Sequence, residues 1–222
     1  MKKDNDIVII DYQLGNLFSI KHACLAVGLN PIITSNKNDL LNANAIILPG
    51  VGAFGDAMKN LERLDLISPL KDKVQFGSPL LGICLGLHLL FDESEEYGKH
   101  KGLGLIKGHV TKISNSINNK KIKVPNIGWN TIYNKDIERW ADSPIEGLDQ
   151  NSFMYFVHSY YVTPVDKHDI LTLTNYEGLE YCSSIKKDNI LAFQFHPEKS
   201  GLDGLKIYRN IKKQYYDTKQ RS

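Results

Sequence analysis

The chain has 222 residues, of which 42% are hydrophobic and 23% are charged, a composition typical of globular proteins that excludes disorder along the whole chain. Its 27 basic and 25 acidic side chains leave a formal charge of +2, so total charge predicts no general attraction to nucleic acid or anionic lipid. The apolar stretches, such as Pro79–Phe91, contain glycines and are shorter than the roughly 20 residues of a membrane-spanning helix. We therefore expect neither nucleic acid nor a membrane as a partner.

The N-terminal sequence MKKDNDIVIIDY has only a short apolar run, too short for the core of a signal peptide, so we expect a cytoplasmic protein. The three cysteines are distant from one another in the sequence and form no CxxC pair, which argues against disulfides and against a thiolate metal site. They are Cys24, Cys84 and Cys182. Four histidines also lack the spacing of metal ligands: His22, His100, His109 and His168. We expect no metal and no cofactor.

Short β-branched runs alternate with helical periodicity in the N-terminal half, a pattern typical of parallel strands joined by crossover helices. The predicted strands are Asp6–Tyr12, Pro31–Asn36, Ala45–Gly50 and Pro79–Cys84. Between the first two, apolar residues at helical spacing predict a helix that follows an Asn16 N-cap and ends near Gly28. Cys24 lies on the apolar face of this helix, which indicates a position in the core.

After Gly102 the apolar runs, including Ile190–His196, are typical of antiparallel strands separated by tight polar turns. The last run, Gly204–Tyr216, has apolar residues at three-residue steps and predicts an amphipathic helix. No internal repeat or linker divides the sequence. We therefore predict one α/β domain over residues 1–222, with parallel strands, flanking helices and an antiparallel extension in a mixed sheet.

The segment Gly82–Gly86 (GICLG) lies between a predicted strand and a predicted helix, and glycines stand two residues to either side of Cys84. This pattern is typical of a nucleophile elbow, a sharp strand-to-helix turn in which neighbouring chain leaves no room for side chains. The turn directs the sulfur out of the sheet at a helix N-terminus, which favours the thiolate. A structural cysteine in such a turn is the alternative interpretation.

A base for Cys84 is available after the last predicted strand, where His196 is followed across a proline by Glu198. A strand that ends at His196 puts the imidazole at the edge of the sheet, and the turn allows the carboxylate to hold the far ring nitrogen. The three side chains are therefore a candidate catalytic triad.

A third candidate element is the loop Leu48–Ala57, which has three glycines after an apolar strand. Its backbone amides are candidates to stabilise an oxyanion. A phosphate-binding loop or a merely tight βα loop is the alternative, although the glycine motifs of nucleotide-binding proteins are missing.

In chain order, the motifs PGVGAF, GICLGLHLLF, VHSYY and QFHPEKSG are similar to those of the class I glutamine amidotransferases. Within that family the chain most resembles the glutaminase subunits of imidazole glycerol phosphate synthases, which supply ammonia in histidine biosynthesis. The resemblance implies a flavodoxin-like core, hydrolysis of L-glutamine, and a heterodimer with a synthase (cyclase) barrel that receives the ammonia.

The resemblance also implies a role for each motif residue. It makes Cys84 the nucleophile, His196 the general base and acid, and Glu198 the residue that orients His196. The residues implied in the oxyanion hole are Gly50, Val51 and Gly52. Those implied in glutamine binding are Gly52, His88, Ser159 and Tyr160. Those implied at the partner interface are Asn16, Asn126 and Trp129, and a core position is the alternative for the tryptophan.

Two positions depart from the family pattern. His88 stands one helical turn after the nucleophile, where the family usually has a glutamine that contacts the substrate. Asn126 replaces the histidine of the PHMGWN motif, near the implied interface, and so bears on which synthase is served.

Three other functions stay open at this point. The same glutaminase chemistry supplies ammonia to sugar amidotransferases in surface-polysaccharide biosynthesis. A catalytically silent regulatory subunit would keep the fold without the chemistry. A peptidase or glutamyl hydrolase on the same fold would act without a partner.

Overall fold

The computed structural model describes residues 7–117 and 119–216. The expectation about a signal peptide was based in part on the first six residues, which lie outside the described residues. Within the described ranges the α-helices span Leu17–Ala26 (α1), Lys37–Asn42 (α2), Phe54–Arg63 (α3), Ile67–Gln75 (α4), Leu85–Leu89 (α5) and Gly201–Tyr216 (α6). Short 3₁₀ helices span Ile137–Trp140, Lys167–Asp169 and Pro197–Lys199.

The strands differ widely in length, from two to nine residues. In chain order they span Ile7–Ile10 (β1), Ile32–Thr34 (β2), Ala45–Leu48 (β3), Leu80–Ile83 (β4), Phe91–Ser94 (β5), His100–Lys101 (β6), Ile106–Lys112 (β7), Ser116–Ile117 (β8), Lys120–Lys121 (β9), Asn126–Ile132 (β10), Ser152–His158 (β11), Tyr160–Pro164 (β12), Ile170–Tyr176 (β13), Leu179–Lys187 (β14) and Ile190–Phe193 (β15).

The fold is built on one mixed β-sheet. Its strands lie in the order β2-β1-β3-β4-β15-β14-β12-β7-β5-β6, and β13 pairs with β14. The five strands from β2 to β15 are parallel, and β14, β12 and β7 continue the sheet antiparallel. Outside this sheet, β10 and β11 form an antiparallel ribbon. The predicted combination of a parallel core, flanking helices and an antiparallel extension is confirmed.

Two apolar cores lie on opposite faces of the sheet, because successive side chains of a strand point to opposite sides. Along β1, Val8 and Ile10 belong to the core under α2, α3 and α4. Ile7 and Ile9 belong to the other core, which contains residues of α1, α6 and the β10–β11 ribbon. The continuous apolar runs of the parallel strands reflect this burial on both faces.

The first helix agrees with its prediction, since α1 begins after Asn16 and Gly28 follows its end with a φ of +76°. The Asn16 side chain makes no capping hydrogen bond. Cys24 is fully buried, as predicted. Among the residues that the structure describes, no helix has the length and apolarity needed to cross a membrane.

The C-terminal half departs from a purely antiparallel arrangement at two places. The strand β15 is antiparallel to β14 but parallel to β4, because it lies between the two halves of the sheet. The strand β5 pairs parallel with β7. Two consecutive strands also belong to different sheets, since the chain leaves the ribbon at the end of β11 and enters the main sheet in β12 after the single residue Ser159.

Close packing of α5 on the end of β3 requires a glycine at position 86. A Cβ atom added at Gly86 would lie 1.9 Å from the Leu48 carbonyl oxygen, so the backbone itself would have to move. We expect Gly86→Ala to lower the free energy of unfolding by about 2–3 kcal/mol, measured by chemical denaturation. The matched control is Gly15→Ala, whose Cβ would meet side-chain atoms instead, with the end of Leu17 nearest at 3.0 Å. Equal losses in the two variants would contradict the backbone clash.

Candidate active site

Cys84 lies in the sharp turn between β4 and α5, with φ +53° and ψ −108°. Its backbone N–H donates to the Phe193 carbonyl over 2.7 Å, which extends the pairing of β4 with β15 to the turn. A Cβ atom at Gly82 would approach both the Ala192 side chain and the Gly86 carbonyl group at 3.1–3.2 Å. The glycines of the GICLG motif are therefore explained by close approach of neighbouring chain.

His196 and Glu198 lie beside this turn, at the end of the neighbouring strand. The His196 N–H donates to the Tyr155 carbonyl over 2.9 Å, and its Nδ1 is 2.7 Å from Glu198 Oε1. The 3₁₀ helix Pro197–Lys199 turns the carboxylate back to the ring, and the two side chains are only 3% and 0% exposed. Ser200 Oγ donates to the His196 carbonyl over 2.7 Å and so supports this turn.

The pKa of His196 depends on burial and on its two neighbours. Burial disfavours the charged ring, but hydrogen bonding and charge from Cys84 and Glu198 outweigh burial and raise the pKa to about 10. The ring is therefore protonated near neutral pH and is suited to donate a proton. The structure brings the three predicted triad residues together at the edge where β4 and β15 end.

A cavity of about 300 Å³ opens over Cys84. Five residues predicted from the motifs line it together with the cysteine: Val51, Gly52, His88, Ser159 and Tyr160. Gly50 is buried behind them, where an added Cβ would lie 2.2 Å from the hydroxyl of Tyr12. That hydroxyl donates to the Pro49 carbonyl over 2.5 Å and holds the start of the glycine loop.

Glu96 also lines the cavity, although no sequence pattern distinguishes it from the acidic run around it. Its carboxylate accepts a hydrogen bond from the Phe54 N–H over 2.8 Å. Burial raises the pKa of Glu96, and the hydrogen bond opposes this effect. A half-buried acidic group in the cavity is suited to bind a cationic group of a ligand.

His88 is almost fully buried and makes a bond that the sequence did not predict. Its Nε2 atom is 2.8 Å from Oε1 of Gln194, whose Nε2 atom is 3.9 Å from the sulfur of Cys84. The sequence feature that could have identified Gln194 as a site residue is its position in the QFHPE motif, two residues before His196. Because the bond occupies Nε2, only Nδ1 of the His88 ring remains for a ligand.

The three residues predicted at a partner interface differ in exposure. Trp129 is 53% exposed, so the alternative of a core position is wrong for it. Asn16 is half-buried. Asn126 is buried, and its amide donates to the hydroxyl of Tyr181 over 3.2 Å. The Asn126 side chain therefore supports the inner face of the ribbon and is not part of its surface.

The β10–β11 ribbon has one buried face and one exposed face. Residues of the inner face, such as Ile132, Met154 and Phe156, belong to the core next to α1 and α6. The outer face carries exposed large apolar side chains, which are Ile127 at 55%, Trp129 at 53% and Phe153 at 59%. This outer face extends to the candidate active site, because Ile127 pairs with Val157, whose carbonyl oxygen is 3.8 Å from the Cys84 sulfur.

The raised pKa of His196 predicts a pH-dependent stability. A group with a pKa of 6.5 in the unfolded chain and about 10 in the fold stabilises fully below pH 6.5 and loses this effect as the pH rises through 10. We expect Glu198→Gln to lower the free energy of unfolding by about 3 kcal/mol near pH 6, and by less towards pH 10, in urea titrations.

The control for that prediction is Asp166→Asn, which removes an exposed carboxylate also paired with a histidine two residues later, His168. We expect little change in stability, because solvent screens exposed pairs. A Glu198→Gln effect that grows towards pH 10 would contradict the assigned direction.

Comparison with known proteins identifies the family. The model of the family "Glutamine amidotransferase class-I" matches residues 8–213. The chain is 48% identical to imidazole glycerol phosphate synthase subunit HisH of Aquifex aeolicus, over 93% of this chain and 95% of that protein. It is 47% identical to subunit HisH 2 of Methanococcus maripaludis, over 94% of this chain and 99% of that protein.

A solved structure gives the same result for the fold. The crystal structure of a glutamine amidotransferase superposes with a TM-score of 0.70 at 18% identity, covering 94% of this chain and 98% of that one. The family model spans both the elbow and the turn that contains His196. The chain therefore belongs to the class I glutamine amidotransferase family.

Proposed function

We propose that this chain is one glutaminase domain over residues 1–222 that hydrolyses L-glutamine and passes the ammonia to the synthase subunit of an imidazole glycerol phosphate synthase. The observation that carries the proposal is the placement of Cys84 beside the buried His196–Glu198 pair, below a cavity that contains a carboxylate. The likeness to HisH subunits over almost the whole chain supports the histidine pathway.

The proposed reaction begins with attack of the Cys84 thiolate on the side-chain amide carbon of glutamine. Backbone amides of Gly50, Val51 and Gly52 stabilise the oxyanion, and protonated His196 gives its proton to the departing ammonia. This step leaves a γ-glutamyl thioester on the sulfur. Water, which loses a proton to His196, then attacks the thioester carbon and releases glutamate.

The cavity offers complementary groups to the amino-acid end of glutamine. The Glu96 carboxylate is suited to the α-ammonium group, because the two charges are opposite. Ser159, Tyr160 and Gly52 also line the cavity and supply polar groups to the rest of the substrate. Nδ1 of His88 adds one acceptor, because burial lowers the pKa of that ring to about 4 and keeps it neutral.

The outer face of the β10–β11 ribbon is the proposed docking surface for the synthase barrel. Exposed aromatic residues such as Trp129 and Phe153 are typical of interface cores. The surface extends to Val157, whose carbonyl group lies against the Cys84 sulfur. Ammonia released there would enter the interface directly and stay unprotonated, which requires a stable heterodimer.

The decisive experiment measures glutamate release from glutamine by the purified chain, alone and with the histidine-pathway cyclase subunit and its ligand. We expect Cys84→Ala to lower hydrolysis by about 10⁴-fold or more, because the nucleophile is lost. Synthesis by the same complex from added ammonium salt should continue. The matched control is Cys182→Ala, which removes a buried cysteine outside the site and should leave hydrolysis nearly unchanged.

Each other outcome of this experiment identifies a rival function. Stimulation by a surface-sugar amidotransferase and not by the cyclase would replace the proposed partner. Full activity without a partner, with turnover of peptides or polyglutamates, would indicate a hydrolase. No Cys84-dependent activity under any condition would indicate a regulatory subunit.

The docking surface makes a separate prediction about affinity. We expect Trp129→Ala to raise the Kd for the cyclase subunit by about 30-fold, because buried aromatic residues at interface centres contribute about 2 kcal/mol or more. Isothermal titration calorimetry measures the change. The matched control is Phe76→Ala, which removes an aromatic residue that is 88% exposed at the end of α4. A weakening by the Phe76 variant alone would place the interface elsewhere.

A further inference from the structure

The Gln194 side chain lies between two groups of the site, the ring of His88 and the sulfur of Cys84. Gln194 directly follows β15, and His88 lies in α5 one turn after the cysteine. The two polar side chains are buried, with exposed fractions of 0% for Gln194 and 5% for His88. Neither can exchange its partner for bulk water without opening the core.

The chemistry of these groups fixes the direction of the contacts. An amide oxygen only accepts hydrogen bonds, so the 2.8 Å bond to Gln194 Oε1 requires a proton on His88 Nε2. The amide nitrogen then faces the sulfur, 3.9 Å away, as a donor. The reverse orientation would place the amide oxygen against the sulfur and repel a thiolate.

The protonation state of His88 agrees with this direction. Burial lowers its pKa to about 4, although the hydrogen bond to Gln194 opposes the shift, so the ring is neutral near pH 7. A neutral ring has a single N–H, and the contact with Gln194 assigns it to Nε2. The Nε2–H tautomer and this orientation of the Gln194 amide therefore occur together.

We propose that His88 is a positioning residue that acts through Gln194 and directs an amide N–H to the Cys84 sulfur, which stabilises the thiolate. The inference rests on the proposed role of Cys84 as the nucleophile. The proposal explains how a histidine fits one helical turn after the nucleophile. The Nε2–H of His88 donates the hydrogen bond that holds the side-chain oxygen of Gln194. The ring thereby affects the nucleophile without touching it.

Other titratable groups also surround Cys84, and the variants below leave all of them in place. They line the cavity or interact electrostatically with the triad, and they are Tyr12, Glu96, His158, Tyr160, Tyr181, His196 and Glu198. Both His88 substitutions used below remove the electrostatic effect of His88 on His158, so the comparison of His88→Leu with His88→Gln isolates the hydrogen bond.

The test is the rate of Cys84 alkylation by iodoacetamide as a function of pH, in the full chain and without glutamine or partner. The thiolate displaces iodide, so the midpoint of the pH profile reports the pKa of the thiol. We expect His88→Leu to move the midpoint upward by about one pH unit, the size expected for one hydrogen bond to a charged group. His88→Gln keeps an N–H donor near the position of Nε2. Its midpoint should therefore lie close to that of the unsubstituted chain.

A double variant separates action through Gln194 from a general structural effect. We expect Gln194→Leu to give a similar shift, and His88→Leu to add nothing in that background. The control is His109→Leu at an exposed position of β7, and circular dichroism confirms folding. Mass spectrometry of the peptide that contains Cys84 excludes signal from Cys24 and Cys182.

Additive shifts, or an unchanged midpoint in His88→Leu, would overturn the inference. If Gln194→Leu does not fold, the comparison of His88→Leu with His88→Gln still tests the inference. A midpoint in His88→Gln that is shifted as far as in His88→Leu would count against the positioning role. The outcome is separate from the proposed function. A chain that shows these shifts but no glutamine hydrolysis would refute the function and keep the positioning role.

Discussion

The candidate site depends on the parallel pairing of β4 with β15. Cys84 and Gln194 follow these strands and are 110 residues apart in the sequence, yet they lie side by side. The hydrogen bond from the Cys84 N–H to the Phe193 carbonyl extends the pairing to the elbow itself. Because both chains leave the sheet at the same edge, the sulfur, the amide of Gln194 and the imidazole of His196 converge there.

The elbow concentrates strain that the surrounding packing has to stabilise. A non-glycine residue with a φ of +53° costs on the order of 1–3 kcal/mol relative to ordinary backbone. Both neighbouring glycines allow contact with adjacent strands and loops, and both apolar cores reach the turn, through Leu85 on one face and Ile83 on the other. The strained turn is therefore held by buried apolar packing on both faces of the sheet.

Features carried by local patterns could be predicted from the sequence. The alternation of strands with helices, the first helix, the elbow and the HPE turn each depend on residues close together in the chain. The structure also placed five of the motif residues around one cavity. These predictions needed no knowledge of which strands are neighbours beyond the general geometry of α/β sheets.

Features set by contacts between distant segments could not be predicted. Glu96 lies in an acidic run that resembles any solvated surface, and only the fold brings it to the cavity. The tautomer of His88 follows from a contact with Gln194 across 106 residues of sequence. Asn126 is polar and follows a proline, yet its strand turns it inward to Tyr181. Each outcome is decided by tertiary packing, which periodicity does not report.

The exposed apolar face of the β10–β11 ribbon has a consequence for how the chain is best produced. Large uncovered apolar patches favour self-association, and this face carries three large side chains that are each more than half exposed. Copies synthesised in excess of a covering subunit would present that face to one another. Balanced synthesis of the two subunits of the proposed complex would therefore protect the chain from aggregation, in addition to retaining ammonia.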